Sequence, residues 1–516
     1  MCSSDLGMDD RATDILGGGR EFLPGAFVPE DARGRGWWRQ DVWGLPDGFT
    51  VQAQVYASSD LNFLEQYYKF EHDREPNQGS FLYVKEQLPG ANWAWDAKIQ
   101  GRVQPWFTET QSLPAVNGYL IGESLFDAVT YNAWAGAGYF SLLNTNTPLP
   151  DGEPVSHTDR NDGTGRFFLM QEAGLPFYLG PVKTEPYGKL LLAEYTHDLN
   201  GDEIGRAWGG AGLRASIPFT RLYPDVCSEL FNVHGIEHKI VATADYFIAG
   251  TNEPYTRFPQ LDRLNDEVSD QALRDIRFRE PVLNPANGVA LATSPLYDPQ
   301  VYAIRRLVDD RIETLDNIEE LNVDVRQRWQ TKRGFPGNEH IVDWMTLDLS
   351  GTYFPAANRD NFGHPFAFLE YDYLWNIGDR TALASTGWVD PFPGGPRVFT
   401  VGAFFNRTDR TSFYLGYREI DPLSSKAVTG AVTYVLSPKY AVTASATYDF
   451  GIQEAMSNSL VFTRMGTDLQ ISLGFTYNAI TNNFGVLFQI VPNLLPPGAR
   501  PGGPMAALGQ GGFLGH

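Results

Sequence analysis

The sequence predicts an all-β fold, a large antiparallel transmembrane β-barrel of about 20–26 strands with long loops and a short helical insertion. Three observations carry that expectation. Apolar and polar residues alternate along many segments, the mark of a strand with one dry and one wet face. No apolar run reaches the roughly 18 residues that a spanning helix needs. Aromatics make up 13% of the chain and glycines number 52, a mix that favours strands and turns.

The 516 residues, 42% hydrophobic and 20% charged, are ample for a folded body and unlike a disordered chain. A formal charge of −22 repels phosphate backbones, so no nucleic-acid partner is expected. Cys2 and Cys227 are too few for a disulfide framework and lack metal-ligand spacing. Residues 1–47 are expected to be a remnant or linker. Their start has no basic or apolar leader, which reads as a truncated or artificial terminus.

The barrel itself is expected over residues 48–491. In residues 93–103, Trp93, Trp95, Ala97, Ile99 and Val103 oppose Asp96, Lys98, Gln100 and Arg102. Further on, Ala211, Leu213, Ala215 and Ile217 oppose Gly212, Arg214 and Ser216, and Ala242, Ala244, Tyr246 and Ile248 share one face. Leu321, Val323 and Val325 oppose Asp324 and Arg326; Leu369, Tyr371, Tyr373 and Trp375 oppose Glu370 and Asp372. Residues 143–184 and 255–318 break the rhythm and are expected as long loops, the second with helical stretches at 266–280 and 298–312. The Pro- and Gly-rich residues 492–516 are expected as a disordered tail.

The C-terminal third gives the clearest succession, with strands expected at 366–376, 381–389, 397–407, 411–420, 426–436, 440–450, 458–464, 468–477 and 483–491. Tight connectors such as Ser437-Pro438-Lys439 alternate with longer ones such as residues 390–396. Short turns on one rim and long loops on the other are what an outer-membrane barrel shows. In lipid every backbone polar group must be satisfied internally, so a chain without spanning helices crosses as a closed barrel. The polar parity would then line a wet lumen, with Asp96, Lys98, Arg102, Arg214, Arg326, Glu370 and Asp372 as its expected charged residues.

Several stretches resemble the outer-membrane lipopolysaccharide-assembly family, LptD or organic solvent tolerance protein. They are Ser59-Asp60-Leu61-Asn62-Phe63-Leu64-Glu65-Gln66-Tyr67-Tyr68, the segment from Glu185-Pro186-Tyr187-Gly188 to His197, residues 214–223 with Ile217-Pro218-Phe219, and residues 232–239 with His234 and His238. The hairpins from Tyr373 onward are similar too. The resemblance implies that the chain passes lipopolysaccharide or a related glycolipid into the outer leaflet through a lateral seam between its first and last strands. It also implies contact with outer-membrane lipid, a lumen-plugging lipoprotein and a periplasmic bridge. Carried over, the seam falls on Val51, Ala53 and Val55 against Phe484, Val486 and Phe488. The family's amino-terminal jellyroll has no counterpart expected in residues 1–47, before the first expected strand, so a barrel fragment or a divergent relative is expected, and Cys2 and Cys227 offer no convincing pair for the family's disulfides.

Other signals read more plainly. Asp198-Leu199-Asn200-Gly201-Asp202-Glu203 resembles a calcium loop but lacks its sixth-position glycine and closing Glu, so a hairpin turn on Asn200-Gly201 is expected. His234 and His238 precede an alternating segment, which removes the helical spacing a shared metal would need. No Gly-x-Ser-x-Gly elbow occurs, and neither an enzyme nor a cofactor is expected. The rival functions are a porin or substrate-specific outer-membrane uptake channel and, from another class, an exported carbohydrate-binding β protein.

Overall fold

Residues of alternating character become strands almost throughout. In the computed structural model the described residues form 23 strands, all antiparallel where a ladder is defined. The structure describes residues 2–8, 32–64 save 62, 75–146 save 76, 163–262, 311–389 save 336, 362 and 368, 397–421 save 409, 425–478 save 452, and 483–492. The strands are β1 (Cys2–Met8), β2 (Ala32–Val42), β3 (Phe49–Ser58), β4 (Ser80–Glu86), β5 (Trp93–Gly101), β6 (Glu109–Leu125), β7 (Val129–Leu143), β8 (Gly163–Gly174), β9 (Phe177–Leu179) and β10 (Val182–Tyr195). Next come β11 (Ile204–Ser228), β12 (Val233–Thr251), β13 (Ile318–Arg333), β14 (His340–Tyr353), β15 (Leu369–Asn376) and β16 (Thr381–Val389). The last are β17 (Arg397–Thr408), β18 (Thr411–Asp421), β19 (Ser425–Ser437), β20 (Tyr440–Asp449), β21 (Glu454–Met465), β22 (Leu469–Asn478) and β23 (Asn483–Pro492).

Consecutive strands pair antiparallel wherever a ladder is defined, as β6 with β7 and β22 with β23. Packing divides the chain into two units. One holds Met1–Ala215, Asp245–Leu321 and Phe354–Pro365; the other holds Ser216–Ala244, Asn322–Tyr353 and Phe366–His516.

In the first unit β1 to β8 form a meander, and β10 pairs with both β8 and β9. Its outward parity carries Phe167, Leu169, Leu190, Leu192 and Leu213, all exposed. Its inner parity is covered: Leu142, Leu191 and Tyr195 are 0% exposed and Trp208 1%. Phe258, Leu261, Ile312 and Leu315, from either end of the 255–318 connection, complete that cluster. Burying aliphatic or aromatic side chains of this size contributes about 1.5–3 kcal/mol each.

In the second unit β14 to β23 are joined ladder by ladder. One row of opposed residues runs Phe405, Phe413, Val432, Ala444, Leu460, Phe475, Val486 across β17 to β23. The neighbouring row on the other face runs Ala431, Ser445, Ser459, Thr476. The apolar face stays uncovered: Leu415 is 57% exposed and Phe462 45%. An apolar surface of this extent marks a face that contacts a membrane or another protein. It matches the wall of a transmembrane barrel, greasy on one face and wet on the other.

Several sequence expectations change. Residues 1–47 contain β1 and β2, and β2 pairs with β3 from Arg35 to Val42, so this part belongs to the sheet. The 143–184 stretch contains β8, β9 and the start of β10; its glycine-rich edges read as a loop, but the backbone pairing of β8 with β7 and β10 absorbs them. The described residues 255–262 and 311–317 of the 255–318 connection are non-strand, as expected, while the helical stretches at 266–280 and nearly all of 298–312 lie outside the described residues. So does the tail beyond Pro492. No described helix is long and apolar enough to cross a membrane.

Candidate functional site

The polar face of the second unit is built by strand parity alone. A single row of directly opposed residues crosses β14 to β18 as Asp348, Asp372, Thr386, Thr400 and Arg418. Two carboxylates face to face repel, and Arg328 of β13 relieves Asp348 with a two-pronged contact at 2.7 and 2.9 Å. Asp372 has no hydrogen bond or ion pair among the described residues and is exposed, as is Glu370 on the same face. An exposed, unpaired carboxylate opposite an exposed apolar face is stable only where that side meets water.

Hydroxyls extend this surface. Thr386 meets Thr400 at 3.0 Å, Thr429 meets Thr447 at 2.9 Å, Thr433 meets Thr443 at 2.9 Å and Ser445 meets Ser459 at 2.6 Å. These short hydroxyls satisfy one another across neighbouring strands, Thr443 among them buried. Arg326 is exposed on the same parity of β13.

The first unit presents a different inner surface. Arg214 donates to Glu172 at 2.6 Å and to Asp245 at 3.1 Å, and its guanidinium lies 3.7 Å from the centre of the Tyr187 ring. Tyr187 donates its hydroxyl to Asp245 at 2.8 Å and stacks on Phe247 at 5.7 Å. Gly212 makes this possible, because a Cβ there would sit 2.4 Å from the Tyr187 ring.

Deeper in, Arg166 of β8 donates to Asp262 at 2.7 Å and Glu313 at 2.6 Å. Arg206 donates to the Ile312 carbonyl at 2.8 Å and Trp208 to the Asp316 carbonyl at 2.9 Å. These contacts fasten both ends of the 255–318 connection to the strands. Burial, its strongest influence, pushes the Glu313 carboxyl up to about 7 despite Arg166.

The expected lumen residues therefore separate. Glu370, Asp372 and Arg326 are exposed on the polar face, and Arg214 sits half-buried in its charge cluster. Asp96 is buried and accepts from Asn117 at 2.9 Å, while Lys98 lies 5.7 Å over the Phe81 ring. Arg102 falls beyond the end of β5, and its guanidinium donates to the carbonyls of Phe107, Leu143 and Asn144; it braces a connection instead of lining a lumen.

The expected seam is corrected on one side. Val51, Ala53 and Val55 belong to β3, which is paired with β2 on one edge and β4 on the other, because β2 precedes it where a linker was expected. Phe484, Val486 and Phe488 lie on the last described strand, which pairs with β22, and are 61–64% exposed.

The calcium-like string is a turn. Asp198 accepts the backbone N–H groups of Asn200 at 2.7 Å and Asp202 at 3.0 Å, and Gly201 takes φ +93°. Arg257 occupies the other Asp198 oxygen. His238 stacks on Trp329 at 4.4 Å and meets Gln327 at 3.2 Å. No cluster of three metal-ligating side chains occurs among the described residues.

Sequence reading missed Arg166, Arg206 and Glu313. Phe167, Phe168, Leu169 and Met170 are apolar on both parities of β8, so no local alternation marks Arg166; all three become partners only through the fold.

No family model matches the chain, and no curated protein does. Among solved structures, a triple mutant of the Rhodopseudomonas blastica porin is similar at 11% identity over 70% of this chain and 98% of that one, with a TM-score of 0.23. Another mutant of the Rh. blastica porin shares 11% identity over the same fractions at a TM-score of 0.25. A structure described as "Asymmetric conductivity of engineered proteins" shares 10% identity, again over 70% of this chain and 98% of that one, at 0.24. Values this low assign no function.

Proposed function

We propose that the chain is an outer-membrane channel that admits polar solutes passively through its strand wall. The observation that supports this reading is the two-faced sheet of the second unit: exposed Leu415 and Phe462 on one side, exposed Asp372 and Glu370 on the other. Unpaired carboxylates on the wet face would set up a local potential that a permeating ion feels. Purified protein in a planar bilayer should conduct. Replacing both carboxylates, Glu370→Lys with Asp372→Lys, should move the reversal potential toward anions. Conductance with a selectivity indifferent to that double change would remove these residues from the permeation path, and a silent bilayer would remove the channel.

A second reading is delivery of lipopolysaccharide or a related glycolipid to the outer leaflet, with a lipoprotein and a periplasmic bridge as partners. It is favoured by β23, whose exposed Phe484, Val486 and Phe488 sit beside a single ladder, that with β22. Depleting the protein in its host should then lower surface glycolipid; an unchanged surface would leave the channel alone.

A further inference from the structure

The two described ends of the 255–318 connection carry an arrangement that neither function uses. Phe258 is 0% exposed and Ile312 1%, packed among the inner residues of β8, β10 and β11. Two carboxyl groups meet one guanidinium here, Glu313 buried within the dry cluster and Asp262 at its edge, 35% exposed. Arg166 Nη1 donates to Asp262 Oδ2 at 2.7 Å and to Glu313 Oε1 at 2.6 Å, and the Tyr195 hydroxyl donates to the same Glu313 Oε1 at 3.2 Å. Arg206 lies beside them but donates to the backbone carbonyls of Ile312 and Glu313, and Arg311 donates to the Asp262 carbonyl.

The two oxygens of Glu313 are thus unequal. Oε1 has two donors, whereas Oε2 is buried with none. An ionised carboxylate would leave an oxygen undonated in an apolar surround, which costs far more than a neutral hydroxyl there. We propose that Glu313 is a one-proton latch: with a proton on Oε2 it holds both ends of the connection against β8 and β10, and loss of that proton to solvent loosens them.

The electrostatics point the same way. Burial pushes the Glu313 carboxyl up to about 7, with Asp262 adding to the rise and Arg166 opposing it. For Asp262 burial also acts to raise the value, but Arg166 prevails and holds it below the usual range. One carboxyl stays ionised while its neighbour keeps its proton, as expected of two acids sharing a site. Because Glu313 is raised relative to a free carboxyl, the hold is complete on the acid side and is lost as pH rises toward and through neutrality.

The test is hydrogen exchange on the full chain in detergent micelles, corrected for intrinsic rates. The Thr314 and Leu315 amides, both bonded to the Arg311 carbonyl, report the latch, and the Leu191 amide in the β8–β10 ladder is the control. Protection of the two latch amides should fall at least about tenfold between roughly pH 5.5 and 8.5, with the control unchanged. Glu313→Gln, which keeps a neutral side chain at all pH values, should leave them protected and flat. A flat wild-type profile, a step shared with the control, or a step that survives in Glu313→Gln would each overturn the proposal. The wild-type profile decides alone if the variant does not fold, and the outcome is independent of whether the protein conducts.

Discussion

The two units use the same strand alternation and treat its inner parity in opposite ways. In the first, β10 places Tyr187, Leu191, Ala193 and Tyr195 inward, and the returning ends of a connection cover them with Phe258 and Ile312. In the second, the same parity carries hydroxyls, with Thr443 of β20 buried and Ser445 and Thr447 half-buried, while the β15 carboxylates stay exposed. The outward parity is apolar and uncovered in both. Alternation therefore specifies a two-faced sheet, and the chemistry of the other parity decides whether apolar side chains pack against it or short hydroxyls and carboxylates line it.

The comparison breaks most directly at its arginines. Arg166 has 6% side-chain exposure between two carboxylates, whereas Arg328 has 34% beside Asp348 at 37%. Removing one partner of a buried ion pair leaves an uncompensated charge and costs about 3–5 kcal/mol; an exposed pair is worth about 0–1 kcal/mol. Arg166→Ala should therefore lower the denaturation midpoint steeply and Arg328→Ala hardly at all. Equal losses would mean that the two inner surfaces are equally dry.

Apolar truncation sharpens the same contrast. Leu191, fully buried inside, should cost about 2–5 kcal/mol as Leu191→Ala, through lost transfer energy and a residual cavity. The neighbouring Leu192 is 46% exposed on the outward parity, and Leu192→Ala should cost well under half as much, because the vacated space opens to detergent or lipid. Urea titrations of the two variants in one micelle type would expose a wrong face assignment as a reversed order.

How far the chain alone discloses this follows from the range of the interactions. The strands from β15 onward match their expected bounds closely because their two faces differ sharply and their turns are local, as with β16 at Thr381–Val389 and β23 at Asn483–Pro492. The segment of β8 reads as loop from the turn residues and prolines around Asp151-Gly152 and Asn161-Asp162-Gly163, and Phe167, Phe168, Leu169 and Met170, apolar on both faces, offer no wet parity to counter them. β2 was hidden in the same way by adjacent Trp37 and Trp38. The exposed Glu370, Asp372 and Arg326 were legible because parity alone places them. The buried cluster was not, since Arg166 meets Glu313 across 147 residues, and nothing in either local pattern points to the other.

The smallest expected effect lies at the β10–β11 turn, where a polar contact also reaches the returning connection. Asp198 is buried, but Arg257 is 36% exposed, so solvent screens their attraction and the pair should contribute no more than about 1 kcal/mol. Burial acts to raise the Asp198 carboxyl; hydrogen bonds from Arg257 and from the Asp202 and Asn200 amides outweigh it and hold the group below its ordinary 3.8. A lowered carboxyl contributes stability above its unfolded value and loses it as pH falls through the folded one. The Asn200 and Asp202 amides should thus keep their protection at neutral pH and lose it only in strong acid, opposite in direction to the amides beside Glu313. Asp198→Asn keeps an acceptor for both amides but removes the charge, so it should flatten this acid limb while leaving the turn formed. If the acid limb persisted in that variant, protonation elsewhere would have to open the turn, and the Arg257 contact would play no part in fastening the connection.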